Sequence, residues 1–390
     1  MNMERAYETM QSRGVDAIIA SSLENVYYVS DYWSLGRQLR CGTNVFAILP
    51  LEGEPAIVAP LNEVDLIVDS GSWIGDVRFY GAFDVDVEEA GEASEQTLRL
   101  IDLYRDSKPE ADAVSALLGA LEARGLSHKV LAVDASGLSS EPMTALPKKL
   151  PDAKVVDGLE LLREIRLVKT EEEVRRIRRA TEISEKSMED ALEIARSEIM
   201  EVELAGIFEY SVASDGGRVT YNLIGFGERS AFPHPIPSDS EARRGDIIRM
   251  TLGSTWWHYH SNISRTGVIG RPASRMKERW EAIMAAQEAA LEAVRPGADI
   301  SDVHAAAEKE LKTAGLRSHS GSYGHGLGVE CNERPWIEMG GGELLEGMVI
   351  NIDVPCLQLG WGGFQLEDTA LVTADGFELL TQTERTLYLL

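Results

Sequence analysis

Residues 254–266 read STWWHYHSNISRT, a run so crowded with aromatic and β-branched side chains that it predicts a strand. Successive side chains of a strand point to opposite faces. Trp256, His258, His260, Asn262 and Ser264 then share one face, while Trp257, Tyr259 and Ile263 share the other. The second set suits a core. The first sets two histidines beside an asparagine and predicts the wall of a pocket; the plainer alternative is a histidine that fills space beside Trp256.

Outward from this stretch, strands are predicted over 246–253, 256–263, 347–354 and 363–372. Thr170 and Glu173 form a capping-box signature, and Val174, Ile177, Ala180, Ile183, Met188 and Ala191 follow at helical spacing. A second helix is predicted over 274–294, stopping at Pro296-Gly297, and a third from Ser301. Long helices separated by paired strands imply an antiparallel sheet covered by helices.

The first 150 residues alternate helix and strand signals instead. VDAIIASS (15–22), KVLAVDAS (129–136) and AKVVDG (153–158) read as strands, NVFAILPLEGEPAIVAP (44–60) as a hairpin, and ADAVSALLGALEARG (111–125) as a helix. The acidic piece 83–96 is expected to be a solvated loop. This half predicts a compact α/β domain with no catalytic signal. A boundary falls near PKKLPDAKVVDGLELLREIRLVKT (147–170), so the expected domains are 1–158 and 159–390.

A chain of 390 residues suits two domains. The 38 basic against 64 acidic residues give a net charge of −26, which argues against a nucleic-acid partner, since that rewards a basic surface. Three cysteines, Cys41, Cys331 and Cys356, without a CxxC pair predict no disulfide framework. The first residues carry no apolar signal segment, and no apolar run reaches the roughly 18 residues that a membrane span needs. A cytoplasmic protein with no membrane partner is expected.

The chemistry-bearing residues gather in the second half. FPHPIPSD fixes His234 between prolines, in a stiff loop from which a histidine can serve as acid or base, or simply be tied to backbone. GSYGHGLGVECNERP sets His325 between glycines, where backbone can approach closely. Asp353 interrupts the apolar strand INIDVP, and a lone buried carboxylate there needs a partner, unless it ends the strand at a bend before Pro355. Glu367 stands in GGFQLEDT beside Asp368, and by itself such an acid pair reads as solvated.

Taken in order, LLREIRLVKTEEEVRRIRRATEI, HPIPSDSEARRGDIIRMTLGSTWWHYHSNISRT, GHGLGVECNERP, EGMVINIDVP and FQLEDTALVT resemble the creatinase, prolidase and aminopeptidase P family, peptidase family M24. NVYYVSDY (25–32) is similar to the signature of that family's N-terminal domain. The resemblance covers essentially the whole chain. It implies a creatinase-like N-terminal α/β domain and a C-terminal pita-bread domain, an α/β (α+β) protein. It implies that Thr251, Asn262, His325, Asp353 and Glu367 stand where metallopeptidase members hold two metal ions with two Asp, one His and two Glu. Four carboxylates then become two, with Asp353 one methylene shorter than the glutamate it replaces. Two divalent ions close together need carboxylates to offset their repulsion. No metal or other cofactor is therefore expected; the alternative is one divalent ion, such as Mn, Co or Zn, held by His260, His325, Asp353 and Glu367.

Creatinase, on the same fold, hydrolyses a C–N bond without metal, using a histidine that matches His234 and carboxylates of which one matches Glu367 and the other Asn262. The resemblance thus implies a metal-independent hydrolase that cleaves an amide or amidine C–N bond of a small polar molecule. Its catalytic residues would be His234, His325 and Glu367, and its substrate-binding residues Thr251, His260, Asn262 and Asp353. Rival readings are a single-metal Xaa-Pro peptidase and a catalytically silent binding protein. A homodimer is expected.

Overall fold

A computed structural model describes residues 1–87, 93–317 and 321–390. The chain divides into two compact units, Met1–Arg166 and Leu167–Leu390. The division falls past the expected 158/159 because helix Gly158–Arg166 packs on strands of the first unit.

In the first unit, strands β1 (Ala17–Ala20), β2 (Phe46–Pro50), β3 (Ala56–Pro60), β4 (Asp76–Tyr80), β5 (Val130–Val133) and β6 (Lys154–Asp157) form one sheet. Its order is β4-β3-β2-β1-β5-β6, with the expected β2–β3 hairpin antiparallel and β1–β5 and β5–β6 parallel. The helix predicted over 111–125 spans Ala113–Ala123. Of the acidic segment 83–96, residues 88–92 lie outside the described residues. Its last two, Glu95 and Gln96, open helix Glu95–Asp106 rather than close a loop, because the Ser94 side chain caps that helix.

The second unit begins at the predicted capping box. Thr170 Oγ1 accepts from the Glu173 backbone N–H at 3.2 Å, and Glu173 Oε2 accepts from the Thr170 N–H at 2.9 Å, starting helix Glu171–Ile194. Helices Glu201–Ser214, Ser274–Glu292 and Ile300–Thr313 follow. The strands are β7 (Arg218–Phe226), β8 (Ile247–Trp256), β9 (Tyr259–His260), β10 (Ile263–Val268), β11 (Ser322–Gly326), β12 (Glu333–Glu338), β13 (Val349–Gln358) and β14 (Gly362–Thr373), with short β15 (Gly376–Leu379) and β16 (Tyr388–Leu389) at the margins. The main sheet runs β12-β11-β13-β14-β10-β8-β7 and is antiparallel throughout.

The strand expected through STWWHYHSNISRT is a hairpin. Trp256 pairs with Tyr259 and Thr255 with His260, leaving Trp257 and His258 as a two-residue turn with φ of 48° and 61°. Such a turn needs both central residues in the left-handed region to follow the strand twist, a conformation that bulky residues adopt only at a cost. Support comes from helix Glu171–Ile194: Arg175 lies over the Trp256 ring at 5.2 Å, and Arg176 over Trp257 at 6.0 Å and Tyr259 at 5.5 Å. The expected row of His258, His260 and Asn262 on one face is thereby broken. His258 sits at the turn, and burial and then Arg218 push its pKa down to about 3.

Alternation decides the two faces of the sheet. Ile248, Met250 and Leu252 of β8 pack with Ile263 against helices Glu171–Ile194 and Glu201–Ser214. Ile350, Ile352 and Val354 of β13 and Phe364, Leu366 and Ala370 of β14 join the core with helices Ser274–Glu292 and Ile300–Thr313. The intervening residues, Arg249, Thr251, Asn351, Asp353, Gln365, Glu367 and Thr369, must face the other way. One face is apolar and covered; the opposite face is polar.

Strand β11 reaches that polar face only because its backbone comes very close to its neighbours. A Cβ on Gly324, whose φ is +137°, would lie 1.9 Å from the Asn351 carbonyl oxygen, and one on Gly326 would lie 2.1 Å from that of Arg334. Gly324→Ala is therefore expected to destabilise the second unit by about 3 kcal/mol or more, measured by urea unfolding followed through tryptophan fluorescence.

Candidate active site

The polar face is built as a row across four strands. Thr251 of β8 pairs with Ser264 of β10, Ser264 with Glu367 of β14, and Glu367 with Asp353 of β13. His325 of β11 pairs with Asn351, two residues before Asp353 on the same strand face. Register thus brings together Thr251, Asn262, His325, Asp353 and Glu367.

The amide of Gln365 bridges the neighbouring carboxyls of Asp353 and Glu367, donating from Nε2 to Asp353 Oδ1 at 2.9 Å and to Glu367 Oε1 at 2.5 Å. Burial pushes the Asp353 pKa up to about 6. The Glu367 carboxyl is raised well above the usual range, by burial first and then by the Asp353 charge. The carbonyl end of Gln365 accepts from Thr251 Oγ1 at 3.1 Å and from Arg249 Nη1. Arg249 is 1% exposed, and burial brings its pKa down to about 10 against the pull of the two carboxylates. Glu367 Oε2 and Arg249 Nε have no hydrogen-bond partner among the described residues.

A second network meets the first at Asn262. The Tyr221 hydroxyl donates to Asn262 Oδ1, and Asn262 Nδ2 faces His325 Nε2 at 3.3 Å. His325 Nδ1 lies 2.9 Å from the Gly326 carbonyl, which can only accept, so Nδ1 carries the proton and Nε2 accepts from the asparagine. Burial lowers the His325 pKa, in keeping with a neutral ring. His260 lies apart from this network, its Nδ1 3.2 Å from Thr220 Oγ1.

The loop of His234 is tied down on both sides. Arg249 Nη2 donates to the carbonyls of Phe232 and, at 3.4 Å, Pro233, while Pro235 accepts from the Ile224 N–H at 3.0 Å. Arg229 donates to the Ile236 carbonyl at 2.7 Å and is itself held by buried Glu201, which also accepts from Ser238. His234 between these anchors is exposed. The stiffness expected from the prolines is thus reinforced by hydrogen bonds.

Comparison with known proteins meets the same face from another side. The model of metallopeptidase family M24 matches residues 175–374, and that of the creatinase/prolidase N-terminal domain matches residues 3–168. The chain belongs to metallopeptidase family M24. A relative from this family, the Xaa-Pro dipeptidase of Pyrococcus furiosus, is 36% identical over 232 residues, 58% of this chain and 67% of that one. The Xaa-Pro dipeptidase of Lactobacillus delbrueckii subsp. lactis is 27% identical over 402 residues, 100% of this chain and 99% of its own. Among solved structures, the prolidase from Pyrococcus furiosus superposes with a TM-score of 0.75 at 27% identity, over 97% of this chain and 99% of that one. The two-domain, pita-bread architecture read from the sequence is the architecture of this M24 chain.

Do these side chains suit the metal that the family name implies? Of the five matched positions two hold neutral groups, Thr251 and Asn262, already hydrogen-bonded to Gln365 and Tyr221, so only two carboxylates remain to offset the charge of the ions. His325 Nε2 faces an amide nitrogen, and Arg249 brings a fixed positive charge within one side chain of the carboxylates. At a separation of about 6 Å and an effective dielectric of about 20, a divalent ion and a guanidinium repel by about 5 kcal/mol. Among the described residues no three His, Cys, Asp or Glu side chains are grouped to hold an ion. The set does not fit a pair of divalent ions. It does not group His260 with His325, Asp353 and Glu367 either, because the hairpin turn carries His260 to Thr220.

Sequence reasoning missed Arg249, Gln365 and Tyr221. The signal for Arg249 was present in DIIRMTLG, where one charge interrupts an apolar strand as Asp353 does in INIDVP.

The carboxyl pair makes a pH prediction. A carboxyl whose folded pKa is raised costs nothing below its unfolded value near 4 and becomes a penalty as pH rises through its folded value, about 6 for Asp353. Asp353→Asn should therefore be more stable than the parent at pH 8 by roughly 1–2 kcal/mol, discounted for its partly exposed edge, and gain nothing at pH 4. Urea unfolding at the two pH values reads the difference.

Proposed function

We propose that this M24 chain is a hydrolase that cleaves a C–N bond, an amide or amidine, of a small polar molecule, and that its own side chains perform the steps. The observation that carries the reading is the single polar face on which Asp353 and Glu367 stand side by side, bridged by the Gln365 amide, with a buried guanidinium beside it. His234, exposed in a pinned loop, takes the proton from water as the oxygen attacks the carbon, and later returns it to the leaving nitrogen. The free Oε2 of Glu367 accepts an N–H of the substrate, which is the contact a cationic or polar nitrogen would seek.

Thr251 and Asn262 act less directly than their positions imply. Thr251 is spent on Ser264 and Gln365, and Asn262 on Tyr221 and His325, so both keep the face rigid. His325 orients Asn262 through its Nε2. Oxygen stabilisation in this reading comes from polar groups that are already fixed, the arrangement that makes such groups effective.

The second reading is hydrolysis of Xaa-Pro dipeptides, and the 36% identity to the Xaa-Pro dipeptidase of Pyrococcus furiosus favours it. One screen separates the two: small amides, amidines, guanidines and Xaa-Pro dipeptides, each with chelator and with added Mn²⁺. Turnover of a small amide or amidine that survives chelation is the expected result. Cleavage of Xaa-Pro dipeptides only when Mn²⁺ is added would replace it with the second reading. On the substrate found, His234→Ala should lower kcat by about 10²–10⁴-fold and leave KM within a few-fold, whereas Glu367→Gln should act mainly on KM.

A further inference from the structure

Arg249 is among the largest fully buried side chains of the protein, and no carboxylate pairs with it directly among the described residues. Its contacts are oriented instead by Gln365. The amide turns its oxygen to the guanidinium and its nitrogen to both carboxyl groups, so one side chain relays between a cation and two acids. The same guanidinium spans to the carbonyls of Phe232 and Pro233, immediately before His234. Arg249 thus hydrogen-bonds to both the Gln365 relay and the His234 loop.

We propose that Arg249 is the resident cation of this face: a positioning residue that holds the carboxyl pair and the His234 loop in one arrangement and keeps divalent metal out. The inference deepens the metal-independent reading above and rests on it for its catalytic meaning, but its test requires no substrate. A lysine would keep the charge and lose the planar fork that reaches Gln365 and two carbonyls at once. A methionine of similar length would remove both. The two substitutions therefore separate charge from geometry.

The experiment is calorimetric titration of full-length, chelator-treated protein with MnCl₂. Four proteins are compared: the parent, Thr251→Asp/Asn262→Asp, that pair combined with Arg249→Met, and that pair combined with Arg249→Lys. Restoring two carboxylates while Arg249 remains should give weak binding at most. Adding Arg249→Met should tighten Mn²⁺ binding by at least about tenfold, because the repulsive charge is gone, whereas Arg249→Lys should not. Hydrogen exchange over residues 229–236 should rise in single Arg249→Met and in single Arg249→Lys, since each loses the fork. Two tightly bound Mn²⁺ in the Thr251→Asp/Asn262→Asp protein would overturn the proposal. So would equal Mn²⁺ affinity in the methionine and lysine combinations. If the methionine combination fails to fold, the Thr251→Asp/Asn262→Asp titration alone still decides: weak binding supports a resident cation, and tight binding refutes it. Failure of the substrate screen would leave these outcomes unchanged.

Discussion

Two carboxyl groups held side by side on a shielded face cannot both stay charged without a cation or a shared proton between them. At about 4 Å and an effective dielectric of about 20 their repulsion is about 4 kcal/mol, comparable with much of a protein's net stability. Asp353 and Glu367 are forced into this position by strand register. The strands β13 and β14 must give Ile352 and Leu366 to the helices, so the residues between them face inward together. The Gln365 amide shared between the two carboxyls and the Arg249 guanidinium behind it are the response to that constraint.

The opposite face of the same sheet solves a similar problem separately. Asp368, next to Glu367, points towards the helices and forms a buried ion pair with Arg265 at 2.7 Å. Arg265 also donates to the carbonyls of Glu367, Ser264 and Thr383. A buried pair adds geometric definition more reliably than it adds stability. Here it clamps β10 to β14 directly behind the residues that form the polar row. The pleat keeps the two charge systems apart: one fixes the backbone, and the other is left available for chemistry.

Much of this arrangement was legible in the sequence. The capping box at Thr170 and Glu173, the strands around Asp353 and Glu367 and the glycines around His325 follow from local rules that tertiary packing did not override. The hairpin at Trp257 and His258 was not legible. Turns with positive φ are signalled by Gly, Asn or Asp, and two aromatic residues in those places read as strand. Arg249 was missed for a different reason: a single arginine in an apolar strand is usually explained by its long stem reaching solvent. Only register shows that this one has carboxyls in front of it and no route to water. Gln365 carries no charge or periodic signal at all, and its role exists only once β8, β13 and β14 are side by side.

Membership of family M24 therefore constrains where side chains point more strongly than what they bind. Strand order and facing are inherited as a unit, because a one-residue slip would turn the apolar set outwards. The atoms on the polar face are not bound by that rule. Arg249 occupies an inward position that the sheet supplies regardless of residue type, yet its charge alters what every neighbour can do. It lends the carboxyl pair a counter-ion through Gln365, and it draws in the carbonyls on the N-terminal side of His234. Glu201 and Arg229 hold the other side of that loop whatever stands at 249. Half of the loop's anchorage is thus scaffold and half is site, so the loop of the exposed histidine is held in part by the same guanidinium that reaches the carboxyl pair through Gln365.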